Sequence, residues 1–330
     1  MKAVLIPGDG IGREIAESVK KVSAALDCGI QWQEYDAGAE YAAEHGELLA
    51  PGLLDALEEC HWALKGPTAT PIGKGFRSIN VQLRQRFHTY ANLRPVRKLA
   101  GVPSRFEQVD LVIVRENSED LYKGIEYMLD ENTANGVKLI TRRASERICR
   151  FAFDYAHANG RKKVTAVHKA NIMKLTDGLF LESFRRVAAE YPGIEANDVI
   201  IDALCMKLVQ KPEQFDVLVA PNLYGDIISD LCAGLVGGLG FAPSANIGDN
   251  ARIYEAVHGS APDIAGKNIA NPSAILMAFG MMLRDLGETE KADRLQNAIL
   301  SVVGEGKTVT ADIGGSATTT EFTEAVIKEL

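Results

Sequence analysis

The chain has 330 residues, 46% of them hydrophobic and 24% charged, with a formal net charge of −8. That length allows one large or two moderate domains with substantial cores, and the acidic balance argues against a nucleic-acid partner, which needs a broad basic surface. No apolar run is long enough to span a membrane, and the opening AVLIPG run after Met1-Lys2 is too short for a secretory leader. Cys28, Cys60, Cys149, Cys205 and Cys232 are odd in number, scattered and never spaced C-x-x-C, as reduced thiols are. These readings predict a soluble cytoplasmic α/β protein with no membrane association.

Strand-like runs alternate with helical periodicity, the pattern of a mainly parallel sheet covered by helices. Residues 3–7 read as a strand and 11–26 as a helix. Between them lies GDGIGRE, with Gly8, Gly10 and Gly12 but Arg13 where the dinucleotide fingerprint needs its third glycine. Glu34 and Asp36 stand near the place of a ribose-binding acid, yet they cannot replace that glycine. The motif therefore predicts a tight strand-to-helix turn and not a Rossmann phosphate loop.

From Arg77 to Arg97 the chain gathers Arg77, Arg84, Arg86, Arg94 and Arg97. The planar guanidinium fork suits bidentate capture of carboxylates. In SINVQLRQRF (78–87) Ile79, Leu83 and Phe87 recur at helical spacing, so Asn80 and Arg84 share another face, with Ser78 as the expected N-cap. Pro95 favours extended backbone at Arg94. Further strands are expected at 109–114, 163–167 and 216–219. A helix is expected over 142–159, with Ile148, Phe151, Ala152, Tyr155 and Ala156 on one face and Gly160 as its stop. Lys65, Arg115, Lys169 and Asn222 each follow a strand, where open α/β sheets bind ligands, so they predict one cleft.

NLYGDIISD places Asp226 and Asp230 four residues apart, off an expected buried stripe of Ile227, Leu231 and Leu235. Like charges at that spacing destabilise a helix unless something positive sits between them. Mg²⁺ or Mn²⁺, which need few carboxylates, would suit, with Asp202 as a third candidate ligand. Arginines for carboxylates beside aspartates for a cation predict a multiply charged, metal-chelating small substrate.

The motifs RSIN…LR…NLRP, RENSEDLY, VHKANIMK, NLYGDIISD and EAVHGSAPDIAGKNIANP together resemble the β-decarboxylating dehydrogenases, which act on isocitrate, 3-isopropylmalate, homoisocitrate and tartrate. The similarity runs from IPGDGIG to VTADIGG and is strongest toward isocitrate dehydrogenase. It implies two α/β domains sharing a largely parallel central sheet, distinct from a standard Rossmann fold: a large dinucleotide-binding domain over 1–93 and 241–330, and an inserted domain over 94–240 for substrate, metal and dimerisation. It implies that Arg84, Arg94 and Arg115 hold carboxylates, with Ser78 and Asn80 at the γ-carboxylate. Tyr122 would be the proton donor, Lys169 would assist removal of the hydroxyl proton, and Asp202, Asp226 and Asp230 would hold the metal. A homodimer with shared active sites is implied, with Lys169 and Asp202 supplied by the neighbouring subunit.

The resemblance sets NAD against Thr70, Asn80, His258, Gly259, Ser260, Ala261, Asp263, Ile264 and Asn271. NADP-using relatives typically carry Lys and Tyr at Asp263 and Ile264, and Tyr and Arg near Ala311 and Gly315; none of the four is present here. Asp263 would accept from ribose hydroxyls and would repel a 2′-phosphate by about 4 kcal/mol at contact in an effective dielectric near 20. A polar Ser78 and Asn80 favour isocitrate over the branched alkyl group of isopropylmalate, with homoisocitrate the alternative. A non-catalytic regulatory subunit of the same family is the reading of a different kind. It would be expected to lose an aspartate, the lysine or the tyrosine, and all stand here.

Overall fold

The computed structural model describes residues 1–70 and 78–330, so Arg77 lies outside the described residues. The chain divides into two compact α/β units. One comprises Met1–Phe87, Lys98–Arg105 and Val236–Leu330; the other comprises His88–Arg97 and Phe106–Leu235.

In the first unit the strands run in the order Gln31–Glu34, Lys2–Ile6, Trp62–Lys65, Arg252–Ala256, Pro243–Ile247, all parallel except the last, which is antiparallel to its neighbour. Lys2–Ile6 is apolar beyond its first residue and leads through the glycine turn into the helix Gly12–Ala25. That helix buries Ile15, Ala16, Val19 and Val22, the helical period expected of it. The helix Ile79–Arg86 buries Ile79 and Leu83 as the spacing predicts, and Ser78 occupies its N-cap position without making the side-chain cap bond that was expected.

In the second unit the order is Ala91–Arg97, Asp110–Glu116, Val217–Ala220, Lys163–His168, Glu195–Ile200, with only the first pair antiparallel. Asp110–Glu116 is buried from Leu111 onward, the near-continuous burial of a strand covered on both faces. It runs two residues past the expected 109–114 and so includes Arg115. The helix Arg142–Ala158 buries Ile148, Ala152 and Ala156, and Gly160 follows it with φ +65°.

The helix Asn222–Leu235 corrects the sequence reading. Ile227 is 52% exposed, and the inward face is Gly225, Ile228, Ser229, Cys232 and Leu235. A Cβ on Gly225 would lie 2.6 Å from Cγ of Arg115, so backbone closeness at the glycine, more than the apolar stripe, sets which way the helix faces. Among the described residues no helix is long and apolar enough to cross a membrane, and all five cysteines are unpaired.

Candidate functional site

In the second unit Arg115 leaves the strand end and is 1% exposed. Its Nε donates to Oδ1 of Asn222 at 2.9 Å, and its Nη1 donates to Oδ1 of Asp226. Among the described residues its Nη2 is buried without a hydrogen-bond partner. A bare guanidinium nitrogen out of water costs free energy unless a ligand completes it. Arg94 is held by Asn92 (2.7 Å) and Ser229 (2.5 Å), and its terminal nitrogens lie 3.7 Å from Asp226 and 3.5 Å from Asp230. Arg94 therefore stands between the like-charged aspartates, with Arg115 on Asp226, the positive insert that the i, i+4 spacing called for.

Tyr122 sits in a short 3-10 turn, Leu121–Lys123, and its hydroxyl donates to Oδ2 of Asp226. Burial, and then this bond to a carboxylate, raise the phenol above its ordinary range, against the opposing charge of Arg115. The side chain therefore keeps its proton at neutral pH. Desolvation also raises the carboxyl of Asp230; Arg94 opposes it, and Asp226 adds to it. The turn itself is tied to the aspartate helix, because Asp120, at φ +70°, accepts the N–H of Leu223 at 2.9 Å. Asn222 also donates to the Glu119 carbonyl at 3.2 Å.

Asp226 and Asp230 offer hard oxygen donors one helical turn apart, and a buried nitrogen beside them awaits an anion. That donor set fits an Mg²⁺-type ion, which takes one or two carboxylates and leaves positions for substrate and water. Asp202 does not join them. It accepts from Nζ of Lys169, and among the described residues no three of His, Cys, Asp and Glu form a group able to hold a metal. The hydrogen bond from Lys169 lowers the carboxyl of Asp202 below its usual range. The backbone N–H of Lys169 is fixed in turn by the buried Asp177 at 2.6 Å.

The four strand-end residues are held by different partners. Arg115 and Asn222 bond each other, and Lys169 turns to Asp202. Lys65, in the first unit, is 2% exposed and pairs with Glu255 at 2.9 Å, so it is a structural cation. Glu255 also lies 3.7 Å from Arg84 and accepts from Asn246 at 2.7 Å, and Nε of Arg84 donates to Asn246 at 3.1 Å. This buried polar group orients Arg84, and the sequence reading missed it. A glutamate and an asparagine inside the apolar strands RIYEA and PSANI were the available signal.

Also in the first unit, His258, Gly259, Ser260 and Ala261 form a loop that ends in the 3-10 turn Pro262–Ile264. Ala261 has φ +41°, and Asp263 is exposed, free to accept from hydroxyls. Nε2 of His258 is buried without a partner among the described residues, and burial lowers the imidazole below its ordinary range. Asn271 is fixed between Asp312 (2.9 Å) and the N–H of Ser273 (2.9 Å). Thr70 is exposed, and among the described residues Asn80 has a buried Oδ1 without a partner. The GDGIGRE turn braces this loop: Ile11 donates to the Ser260 carbonyl at 2.9 Å, and Glu14 accepts the N–H of Gly266. Asp9 closes the turn by accepting from Ala39, Glu40 and Ala69.

The family model described as isocitrate/isopropylmalate dehydrogenase matches residues 2–326. The chain is 53% identical to the mitochondrial isocitrate dehydrogenase [NAD] catalytic subunit 5 of Arabidopsis thaliana, over 99% of this chain and 88% of that protein. It is 49% identical to a mitochondrial isocitrate dehydrogenase [NAD] regulatory subunit of Dictyostelium discoideum, over 100% of this chain and 92% of that one. The crystal structure of isocitrate dehydrogenase from Methylococcus capsulatus superposes with a TM-score of 0.96 at 48% identity, covering 99% of this chain and 98% of that one.

These findings overturn the cytoplasmic expectation, since the relatives at 53% and 49% identity are mitochondrial proteins. Unpaired thiols show only that a compartment keeps cysteines reduced, so they could not decide which compartment it is. One of these relatives is named as a catalytic subunit and the other as a regulatory subunit, which leaves the expected homodimer unsupported. With the match running almost from end to end and the fold shared at close to half identity, the chain belongs to the isocitrate/isopropylmalate dehydrogenase family.

Proposed function

We propose that the chain is a catalytic, NAD-dependent isocitrate dehydrogenase subunit that oxidatively decarboxylates isocitrate to 2-oxoglutarate and CO2. The observation that carries the reading is the grouping of Arg94, Arg115, Tyr122, Asp226 and Asp230, with one guanidinium nitrogen buried and bare. Arg84, Arg94 and Arg115 would hold the carboxylates of the trianion, and Ser78 and Asn80 would meet its γ-carboxylate. Asp226 and Asp230, with Asp202 from a neighbouring subunit, would hold Mg²⁺ or Mn²⁺. Thr70, Asn80, the 258–264 loop and Asn271 would hold NAD. When bound, the cation would supply Lewis-acid polarisation of the substrate's hydroxyl and carboxylate oxygens, and NAD would accept the hydride.

The chain's own residues then move protons. Lys169, paired with Asp202, assists removal of the substrate's hydroxyl proton, which passes through it to a relayed carboxylate. As CO2 departs, the electrons of the broken C–C bond pass to an enolate. Tyr122, protonated at neutral pH, delivers its proton to that carbon. Arginines at the remaining carboxylates keep the product from swinging away between the two events.

The 49% identical relative named as a regulatory subunit supports a second reading, in which this chain binds the anion without turning it over. The retained Tyr122, Lys169, Asp202, Asp226 and Asp230 favour catalysis. The purified chain with isocitrate, NAD and Mg²⁺ is expected to produce NADH and to stop when EDTA is added, with homoisocitrate, isopropylmalate, tartrate and malate slower. Bound isocitrate without turnover would establish the regulatory role. The exposed apolar Ile172 (67%), Leu175 (88%), Met206 (50%) and Ile227 (52%), beside Lys169, Asp202 and Asp226, support association with a second subunit, like or unlike.

NAD preference is proposed to rest on Asp263. Replacing Asp263→Lys together with Ile264→Tyr is expected to shift the NAD:NADP ratio of kcat/KM toward NADP by at least about tenfold, the contact repulsion after solvent screening. An unchanged ratio in the double variant would show that Asp263 does not face the ribose.

A further inference from the structure

Arg115 and Tyr122 flank the six residues Glu116 to Leu121, which turn from the last residue of the strand to the first of the 3-10 turn and lead to the hydroxyl of Tyr122. Three of the polar residues among them tie the turn to its surroundings. Asn117 bonds the carbonyls of Tyr90 (2.8 Å) and Thr89 (3.1 Å). Glu119 accepts the N–H of Thr141 at 2.8 Å, and Asp120 accepts that of Leu223. Glu116 differs, because its carboxylate folds back onto the turn itself. It accepts the N–H of Ser118 (2.9 and 3.0 Å to its two oxygens), the N–H of Glu119 (2.8 Å) and the Ser118 hydroxyl.

Glu116 is 4% exposed, and among the described residues no cation pairs with it. A carboxylate held out of water by backbone N–H groups and one hydroxyl, with no counter-ion, is a poor source of stability. It is, however, a strong constraint on the backbone that surrounds it. Both of its oxygens face only donors. A glutamine of the same size would have to turn its NH2 group toward one of them.

We propose that Glu116 is a positioning residue: its carboxylate fixes the curvature of the 116–121 turn and thereby holds the Tyr122 hydroxyl on Asp226. Nothing in the assignment of Tyr122 or Arg115 requires this role, and it rests on the reading of Tyr122 as proton donor. The strand carries Arg115 through its own hydrogen-bonded ladder, so loss of the constraint falls on the far end of the turn. The consequence is a fault in proton delivery more than in substrate capture.

The full-length chain is tested as Glu116→Gln, Glu116→Asp, Tyr122→Phe and the double variant Glu116→Gln with Tyr122→Phe. Expected is a fall of about tenfold in kcat for Glu116→Gln with the isocitrate KM changed less than about threefold, and a smaller fall for Glu116→Asp, which keeps the charge. The double variant should be no slower than Tyr122→Phe alone, since the loss passes through that side chain. A purely structural role would multiply the two losses, and that result, or a kcat for Glu116→Gln within twofold of the parent, overturns the proposal. If Glu116→Gln does not fold, Glu116→Asp takes its place in both comparisons.

Tyrosine labelled with ¹³C at Cζ gives a readout that does not need turnover. The Tyr122 resonance, assigned by its loss in Tyr122→Phe, should shift or broaden in Glu116→Gln. A parent chain inactive on isocitrate would remove the reading of Tyr122 as proton donor. An unmoved resonance would remove Glu116 from its placement.

Discussion

Replacing Gly225 by alanine is expected to lower kcat/KM for isocitrate on the order of a hundredfold, the loss that follows when a reacting or clamping group is displaced by about 1 Å. Alanine in mid-helix ordinarily stabilises by about 0.5–1 kcal/mol over glycine. Here the added Cβ would stand 2.6 Å from Cγ, 2.7 Å from Cβ and 3.2 Å from Cα of Arg115. The last of these atoms is backbone in a buried strand, so the arginine cannot simply rotate aside. Either the helix retreats, carrying Asp226 with it, or the guanidinium leaves Asn222 and Asp226. Overpacking costs about 1–3 kcal/mol, which outweighs the propensity gain. Gly234 lies on the same helix, and a Cβ there would meet nothing within 4 Å, so Gly234→Ala is the control and should retain parental activity. A Gly225→Ala enzyme within twofold of the parent would show that Arg115 does not depend on this approach.

Glu255→Gln is expected to destabilise the first unit by about 3–5 kcal/mol, because it leaves Lys65 a buried charge without its counter-ion. A fall in melting temperature on the order of 10 °C, seen by calorimetry, would correspond to that loss. The effect is larger than a surface ion pair could produce, since both side chains are at most 6% exposed. Burial raises the Glu255 carboxyl, but Lys65 and then Arg84 overcome it and pull the group down to about 2 from an ordinary 4.5. The folded-state pKa is depressed, so the linked stability is fully present above about pH 4.5 and is lost as pH falls toward 2. The variant should lack that part of the acid transition. A Glu255→Gln chain with parental melting temperature and acid midpoint would mean that Lys65 finds another partner. Because Glu255 also lies beside Arg84, a rise in isocitrate KM should accompany the loss.

Much of this architecture is legible in the sequence where period and burial agree. The strand run of Leu111–Val114 and the helical recurrence of Ile148, Ala152 and Ala156 needed no tertiary information. Asp226, Asp230, Arg94 and Arg115 could be singled out because charge is costly near buried strand ends. The facing of the helix Asn222–Leu235 could not be read, because Ile227 and Ile228 are equally apolar and only the approach of Arg115 to Gly225 chooses between them. The partners of Lys65 could not be read either: a lysine after a strand looks the same whether it waits for a ligand or neutralises Glu255. Asp202 stands on a different helix from Asp226 and Asp230, in keeping with the expectation that a neighbouring subunit supplies it.

The glycine turn at the start of the chain carries a wider lesson. Gly8, Gly10 and Gly12 each place their α-carbon where a methyl group would come within 2.0 Å of a main-chain carbonyl, of Pro67, Ser260 and Pro7 respectively. The space that a phosphate would fill in a nucleotide-wrapping loop is occupied by the protein's own backbone. Closely spaced glycines report that something must come very near, and in this molecule the visitor is another stretch of the same polypeptide.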